Sequence, residues 1–326
     1  MKKTFKSALI GLSAFTLSLS SGCGLNSGKS TYIAVISGTQ GAQFNAAVEK
    51  GASDAAAEAG FKVIPYSSQR NLLEQISSIN DAIEKGVKCI VIDPIDVNAL
   101  DGTFGKAAEN HIKVITIGSE NAKRYSETYR KNVTSCVGSN HTFTGAIAAR
   151  KAAALLNPTD KIITVNSTVK NVPSNERISG FEEQLLQTSA SGCEIIHSDY
   201  IGEDTTGIVE AIKNQVSQNS GVKLIFASNL TDTICSCKAI EELSLTGMVH
   251  IIGCGYSADL ENCIRNGTLA AVCVENPYNM GYLGVRYTKK LLDGTKVAAE
   301  NDTGISYITL DNIDSEDIKL LLSQIM

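Results

Sequence analysis

Residues 35–51 read VISGTQGAQFNAAVEKG. An apolar run ends at Ser37, a loop of small residues follows, and an Ala-rich segment takes over. That succession is strand, loop, helix. Such a loop either cradles a phosphate or lines the mouth of a pocket. Gly38-Thr39-Gln40-Gly41-Ala42-Gln43 has neither the Gly-x-Gly-x-x-Gly spacing of a dinucleotide site nor the Gly-Lys-Ser/Thr ending of a phosphate loop. SGKS at 27–30 resembles such an ending but precedes the first strand. No acidic residue closes KVIPY (62–66), where a ribose contact would fall. No cofactor is expected.

The same rhythm recurs outward from this stretch. Strand-like runs are YIAVIS (32–37), KVIPY, CIVID (89–93), KVITIG (113–118), KIITVN (161–166), EIIHSDY (194–200), KLIFAS (223–228), VHIIGC (249–254) and LAAVCVE (269–275). Helical spacing lies between them: Leu72, Ile76, Ile79 and Ile83 share one face, as do Ile234, Ile240 and Leu243, and Leu283, Tyr287 and Leu291. The strands are continuous Val/Ile runs, the pattern of strands buried on both faces, so the sheets should be mostly parallel and covered by helices on both sides. SCVGSNHTFTGAIAA (135–149) breaks the chain near its middle, after which the rhythm repeats. The expected fold class is α/β: two doubly wound, mostly parallel-sheet lobes.

Bulk properties narrow the function. The chain has 326 residues, a formal net charge of −5 and 43% hydrophobic residues. That is enough apolar content for a packed core, and the length suits two domains. The mild acidity, without a basic cluster, excludes a nucleic-acid partner. Residues 1–22 form a signal: Lys2, Lys3 and Lys6, then an apolar stretch from Ala8 to Leu19, shorter than the about 20 residues needed to span a bilayer. LSSGC ends at Cys23, and small residues before a single Cys resemble the bacterial lipoprotein signal, in which that Cys carries lipid; Leu19 sits one place earlier than usual. An ordinary secretory signal is the alternative. Residues 23–30 are a Gly/Ser tether. Of the remaining eight cysteines, Cys89, Cys254 and Cys273 fall inside apolar strands, where Cys acts as a small hydrophobe, and Cys235-Ser-Cys237 lacks zinc-knuckle spacing. Mostly free thiols and no metal are expected.

Enzyme signatures are missing from the sequence. There is no Gly-x-Ser-x-Gly, and His111 and His197 have no visible Ser or Cys partner. Asp302-Thr303-Gly304 reads as a turn. The loop ends instead offer neutral or planar polar groups: Phe44, Asn45, Gly118-Ser119-Glu120, Asn140-His141, Arg177, Asn229, Gly255 and Glu275. Planar amides and a guanidinium bond adjacent hydroxyls, and an aromatic covers the C–H face of a sugar.

From about residue 31 onward the chain resembles the ribose-type periplasmic sugar-binding proteins that feed ABC importers. The stretches that carry this are IAVISGTQGAQFNAAVEKGASDAAAEAGFKV, IVIDPIDVNAL, VITIGSE, ERISGF, IFASN, IIGCGYSAD, IRNGTLAAVCVENPYNMGYLGV and DTGISYITLDNID, in that order. The resemblance implies a type I periplasmic binding protein whose lobes are joined by a three-crossing hinge, near Val137–Asn140, Glu275–Asn276 and Ser306–Tyr307. The lobes would comprise 31–138 plus 276–306 and 139–275 plus 307–326. It implies a ligand site with Phe44 as stacking aromatic, Arg177 and Asn229 as hydroxyl-binding groups, and Glu275 in place of a Gln. The family's second aromatic is Asn45 here, its Asp-Arg pair is Gly118-Ser119, and a further Asp is Gly255. Glu120, Glu203 and Glu275 would then supply acceptors, or the ligand is not a common hexose or pentose; Glu275 is also placed to pair with Arg177 across the cleft.

The implied protein is an extracytoplasmic, lipid-anchored monomer. It captures a small polyhydroxylated ligand by hinge closure and delivers it to an ABC importer permease. Two alternatives stay open within binding proteins: a ligand-sensing subunit for a membrane receptor kinase, and a binder of a non-sugar polar metabolite. An extracellular hydrolase using Asp93, Glu120 or Glu275 is the rival from another class, and it needs two carboxylates facing one cleft.

Overall fold

The computed structural model describes residues 30–38, 41–119, 126–168, 171–198 and 202–326. The signal, Cys23 and Glu120 lie outside these residues. The chain runs through β1 (Thr31–Ser37), α1 (Ala42–Ala59), β2 (Phe61–Ser67), α2 (Leu72–Glu84), β3 (Cys89–Ile92), α3 (Val97–Glu109), β4 (Lys113–Ser119), α4 (Glu127–Asn132) and β5 (Ser135–Ser139). It continues through α5 (His141–Ala152), β6 (Lys161–Val165), α6 (Val172–Leu185), β7 (Glu194–His197), α7 (Thr205–Gln218), β8 (Val222–Ala227), α8 (Leu230–Glu242), β9 (His250–Cys254), α9 (Ala258–Arg265) and β10 (Ala271–Glu275). It returns with α10 (Pro277–Leu292), β11 (Glu300–Asp302), β12 (Ile305–Ile308) and α11 (Glu316–Ile325).

These strands build two sheets among the described residues, ordered β11-β5-β4-β3-β1-β2 and β12-β10-β9-β8-β6-β7. Without the last strand of each, the two orders are the same, so the second half repeats the first. All pairings among the described strands are parallel except β10 with β12. Along β1, Ala34 and Ile36 enter the core on one face of the sheet while Ile33 and Val35 enter the core on the other. Successive side chains of a strand point to opposite faces, so a run with no polar break is what a strand covered on both sides requires. The second sheet is likewise sandwiched, with Ile163 and Ile225 in one core and Ile162 and Leu224 in the other.

Glycine sets how closely helices approach in each lobe. A methyl on Gly51 would collide with the Tyr278 carbonyl and one on Gly281 with the Val48 carbonyl, so α1 and α10 pack backbone to backbone. Gly145 and Gly180 do the same for α5 and α6, against the carbonyls of Arg177 and Thr142.

The chain passes from the first sheet to the second after β5 at Asn140, and back after β10 at Asn276, where α10 packs on α1. The last passage departs from the sequence expectation. Ile305 and Ser306 pair with Glu275 and Val274 in the second sheet, while Asp302 pairs with Gly138 in the first. The step therefore falls at Thr303-Gly304, a few residues before Ser306–Tyr307. Gly304 has φ +70, and its amide donates to Asp302 Oδ1 at 2.8 Å. A left-handed glycine makes the sharp turn between sheets there. The strands flanking it have only three and four residues and are mostly half-exposed, which left them without an apolar signature.

Candidate functional site

Both sheets direct the carboxyl ends of their strands toward one cavity of about 480 Å³. In doubly wound sheets this is where ligands collect, because strand order reverses there and the loops diverge. Gly41, Gln43 and Phe44, after β1, and Arg70, after β2, line it from the first lobe. Ser167, Thr168, Arg177, Glu203, Asn229, Gly255 and Glu275 line it from the second. Gly38 lets the first loop leave the sheet, since a side chain there would run into the Asp93 carbonyl. Phe44 stands half-buried in the first turn of α1, one side packed on the core containing Val48.

At the cavity floor, Arg177 Nη2 lies 3.1 Å from Glu275 Oε1 and 3.1 Å from His141 Nδ1, and Nη1 donates to the Ser228 carbonyl at 3.0 Å. His141 Nδ1 is itself 3.2 Å from Glu275 Oε1. Burial alone would raise the Glu275 carboxyl, but the Arg177 guanidinium and His141 outweigh it and bring it down to about 2. Burial works against the Arg177 charge, and Glu275 more than restores it. The pair forms as the sequence suggested but not across the cleft: α6 and β10 both belong to the second lobe. Within the pair the two charges offset each other, so an anion would have to compete with Glu275 for the guanidinium. Arg177 Nε and His141 Nε2 are buried without a protein hydrogen-bond partner.

Asp232 organises the neighbouring wall. It is fully buried and accepts from Ser167 Oγ at 2.6 Å, Ser167 N at 3.2 Å, Asn229 Nδ2 at 2.6 Å and Ser228 Oγ at 3.3 Å. Burial raises its pKa, with the bonds from Ser167, Ser228 and Asn229 working against that rise. Two cavity-lining turns, after β6 and β8, are thereby tied to one carboxylate. Asp232→Asn places an amide N–H among these donors. It is expected to lower stability by about 2 kcal/mol in urea titrations; an unchanged midpoint would show that the network carries no weight.

Several residues singled out in the sequence do other work. Asn140 does not line the cavity; its Oδ1 accepts from Phe143 N at 2.8 Å and caps α5. Asn229 lines it, but its Oδ1 accepts from Asp232 N at 3.0 Å as the cap of α8, and its amide nitrogen is turned to Asp232. The residue after a strand and before a helix is an N-cap position, and Asn suits it for that reason alone. Asn45 is not among the lining residues. Neither is Asp93. The Ser119 side chain lies outside what the structure describes. Gly255 lines the wall with φ +93, and a methyl there would meet Leu230 Cβ at 2.8 Å, so no acidic side chain fits without moving α8. Arg70 and Ser167 were missed, because an Arg in a turn and a Ser after a strand look like solvated surface. Among the described residues no group of three or more His, Cys, Asp and Glu is arranged to hold a metal ion.

Comparison with known proteins gives a consistent result. A model described as "Periplasmic binding protein domain" matches residues 33–296. The ribose import binding protein of Haemophilus influenzae is 26% identical over 300 residues, covering 91% of this chain and 99% of that protein. The fructose import binding protein of Bifidobacterium longum is 25% identical, covering 97% of both. An ABC transporter solute-binding protein of Agrobacterium vitis with bound D-fucose is 28% identical. Its structure superposes with a TM-score of 0.75 over 88% of this chain and 98% of its own.

Proposed function

The chain belongs to the ribose-type periplasmic binding protein family, and from that membership we propose that it captures a small, uncharged, polyhydroxylated solute between its lobes and hands it to an ABC importer. The family places the protein outside the cytoplasmic membrane, and in this proposal lipid on Cys23 holds it there as a monomer.

One observation carries the reading of the ligand: the only lining Arg of the second lobe is neutralised in place by Glu275 among the described residues. An anionic ligand would have to compete with that carboxylate for the guanidinium. A hydroxyl needs only Arg177 Nε and Glu275 Oε1, both without a protein hydrogen-bond partner, and the exposed carboxylate of Glu203 at the rim. Phe44, from the opposite lobe, supplies the apolar face. Contacts from both lobes favour the closed arrangement, so the ligand shifts the hinge equilibrium by its differential affinity for the two states. Names of relatives support a monosaccharide but do not select one, because the Asp-Arg pair expected at 118–119 is Gly-Ser here.

Calorimetry against D-ribose, D-fructose, D-fucose, D-arabinose, polyols, nucleosides and small carboxylates tests this. Saturable binding of a neutral polyol or sugar is expected. Binding confined to carboxylates or phosphates would overturn the reading. With the binding compound in hand, Phe44→Ala is expected to weaken affinity about three- to tenfold with little change in melting temperature. Equal affinity would remove Phe44 from the site.

A further inference from the structure

Eight cysteines lie among the described residues, and none is bridged. Two of them face each other between neighbouring helices. α8 and α9 follow successive parallel strands and pack side by side on one face of the second sheet. Hydrogen bonds set their register. Glu241 Oε1, in the last turn of α8, accepts from Asn266 Nδ2 at 3.3 Å and from Thr268 Oγ1 at 3.0 Å, just past the end of α9. One turn back from Glu241 on α8 is Cys237; one turn back from Asn266 on α9 is Cys263. Both side chains enter the same core cluster. Cys237 is 2% exposed, whereas Cys263 is half-buried and reaches solvent.

We propose that Cys237 and Cys263 form a disulfide in the oxidising medium outside the cytoplasmic membrane, tying α8 to α9 behind the cavity wall. The oxidant is a low-molecular-weight disulfide. The Cys263 thiolate attacks one of its sulfurs and expels the other as a thiolate. Cys237 then loses its proton and attacks the Cys263 sulfur of the mixed disulfide, releasing the second thiolate. One protein S–S bond forms, one reagent S–S bond breaks, and two electrons pass to the reagent, which leaves as two thiols. The order of attack follows from the surroundings. The two thiols are in hydrogen-bond contact, Cys263 open to the reagent and Cys237 buried. The accessible thiol is therefore the nucleophile and the buried one resolves. The loop so closed contains β9, Gly255 and Tyr256, so the bridge constrains the turns that line the cavity.

The test does not depend on the ligand. Full-length protein in detergent is incubated with oxidised glutathione, alkylated, and digested with trypsin and Glu-C under non-reducing conditions. The expected product joins the peptide 224–238 to the peptide 262–265, is absent in Cys237→Ser and in Cys263→Ser, and persists in Cys235→Ser. The oxidised wild type is expected to melt about 5 °C above the reduced protein, a difference that Cys263→Ser lacks. Full alkylation of both thiols after oxidation, a persistent glutathione adduct on Cys263, or a link through Cys235 would each overturn the proposal.

Discussion

Arg177→Met is expected to destabilise the protein by about 3–5 kcal/mol and to abolish measurable ligand binding. The physical reason is the partner it abandons. Glu275 sits at the end of a buried strand, and among the described residues His141 is the ion-pair partner left to it once the guanidinium is gone. Breaking a buried ion pair from one side costs more than the pair itself contributes, because a desolvated charge remains. Arg177→Met together with Glu275→Leu is expected to recover most of the stability in urea titrations while binding stays lost, which separates the structural from the ligand-facing role. The pH dependence has a definite sign. The Glu275 carboxyl is depressed to about 2 in the folded protein, against about 4.3 in an unfolded chain. Its contribution is present above the unfolded value and is lost as pH falls through the folded one. In Arg177→Met the depression disappears, so the gap between wild type and variant should narrow from pH 7 to pH 3. A constant gap would show that the pair does not govern this site.

Gly145→Ala is the second large effect, expected at about 3 kcal/mol of stability and at least tenfold in affinity. The added methyl would drive into the Arg177 carbonyl and come within 2.7 Å of Phe181 N. Backbone atoms of a packed helix cannot rotate away as a side-chain tip can, so α5 and α6 must separate. Arg177 rides on α6, and its guanidinium would leave Glu275 and Ser228 by the same displacement. Gly180→Ala, which meets the Thr142 carbonyl from the other helix, should behave alike. Gly41→Ala is the comparison, since a methyl there meets nothing within 4 Å. Denaturation midpoints for Gly145→Ala and Gly41→Ala that agree would refute the account.

Much of the architecture was legible because it depends on period and continuity alone. Unbroken runs such as CIVID and KLIFAS admit only strands covered on both sides, and the four-three-four spacing from Leu72 to Ile83 admits only a helix with one buried face. The pair of lobes follows from the repetition after residue 140. The strands Glu300–Asp302 and Ile305–Ile308 were not legible, since each is short and held by pairing with β5 or β10 rather than by an apolar face of its own.

The site divides along the same line. Asn229, Gly255 and Glu275 border the cavity because strand ends in such sheets converge on one place, and Phe44 and Arg177 border it from α1 and α6, the helices that follow β1 and β6. What each does there could not be read. Asn140 and Asn229 sit where both a helix cap and a ligand contact call for the same amide, and only the hydrogen bonds show that each caps its helix. The chain's own order of residues thus determined two similar layered lobes and the loops that meet between them. Tertiary contact decided that Arg177 is balanced within its own lobe, that Asp232 holds the wall, and that the last crossing lies at Thr303-Gly304. Those outcomes depend on groups far apart in the chain coming within about 3 Å, and local pattern carries no information on such distances.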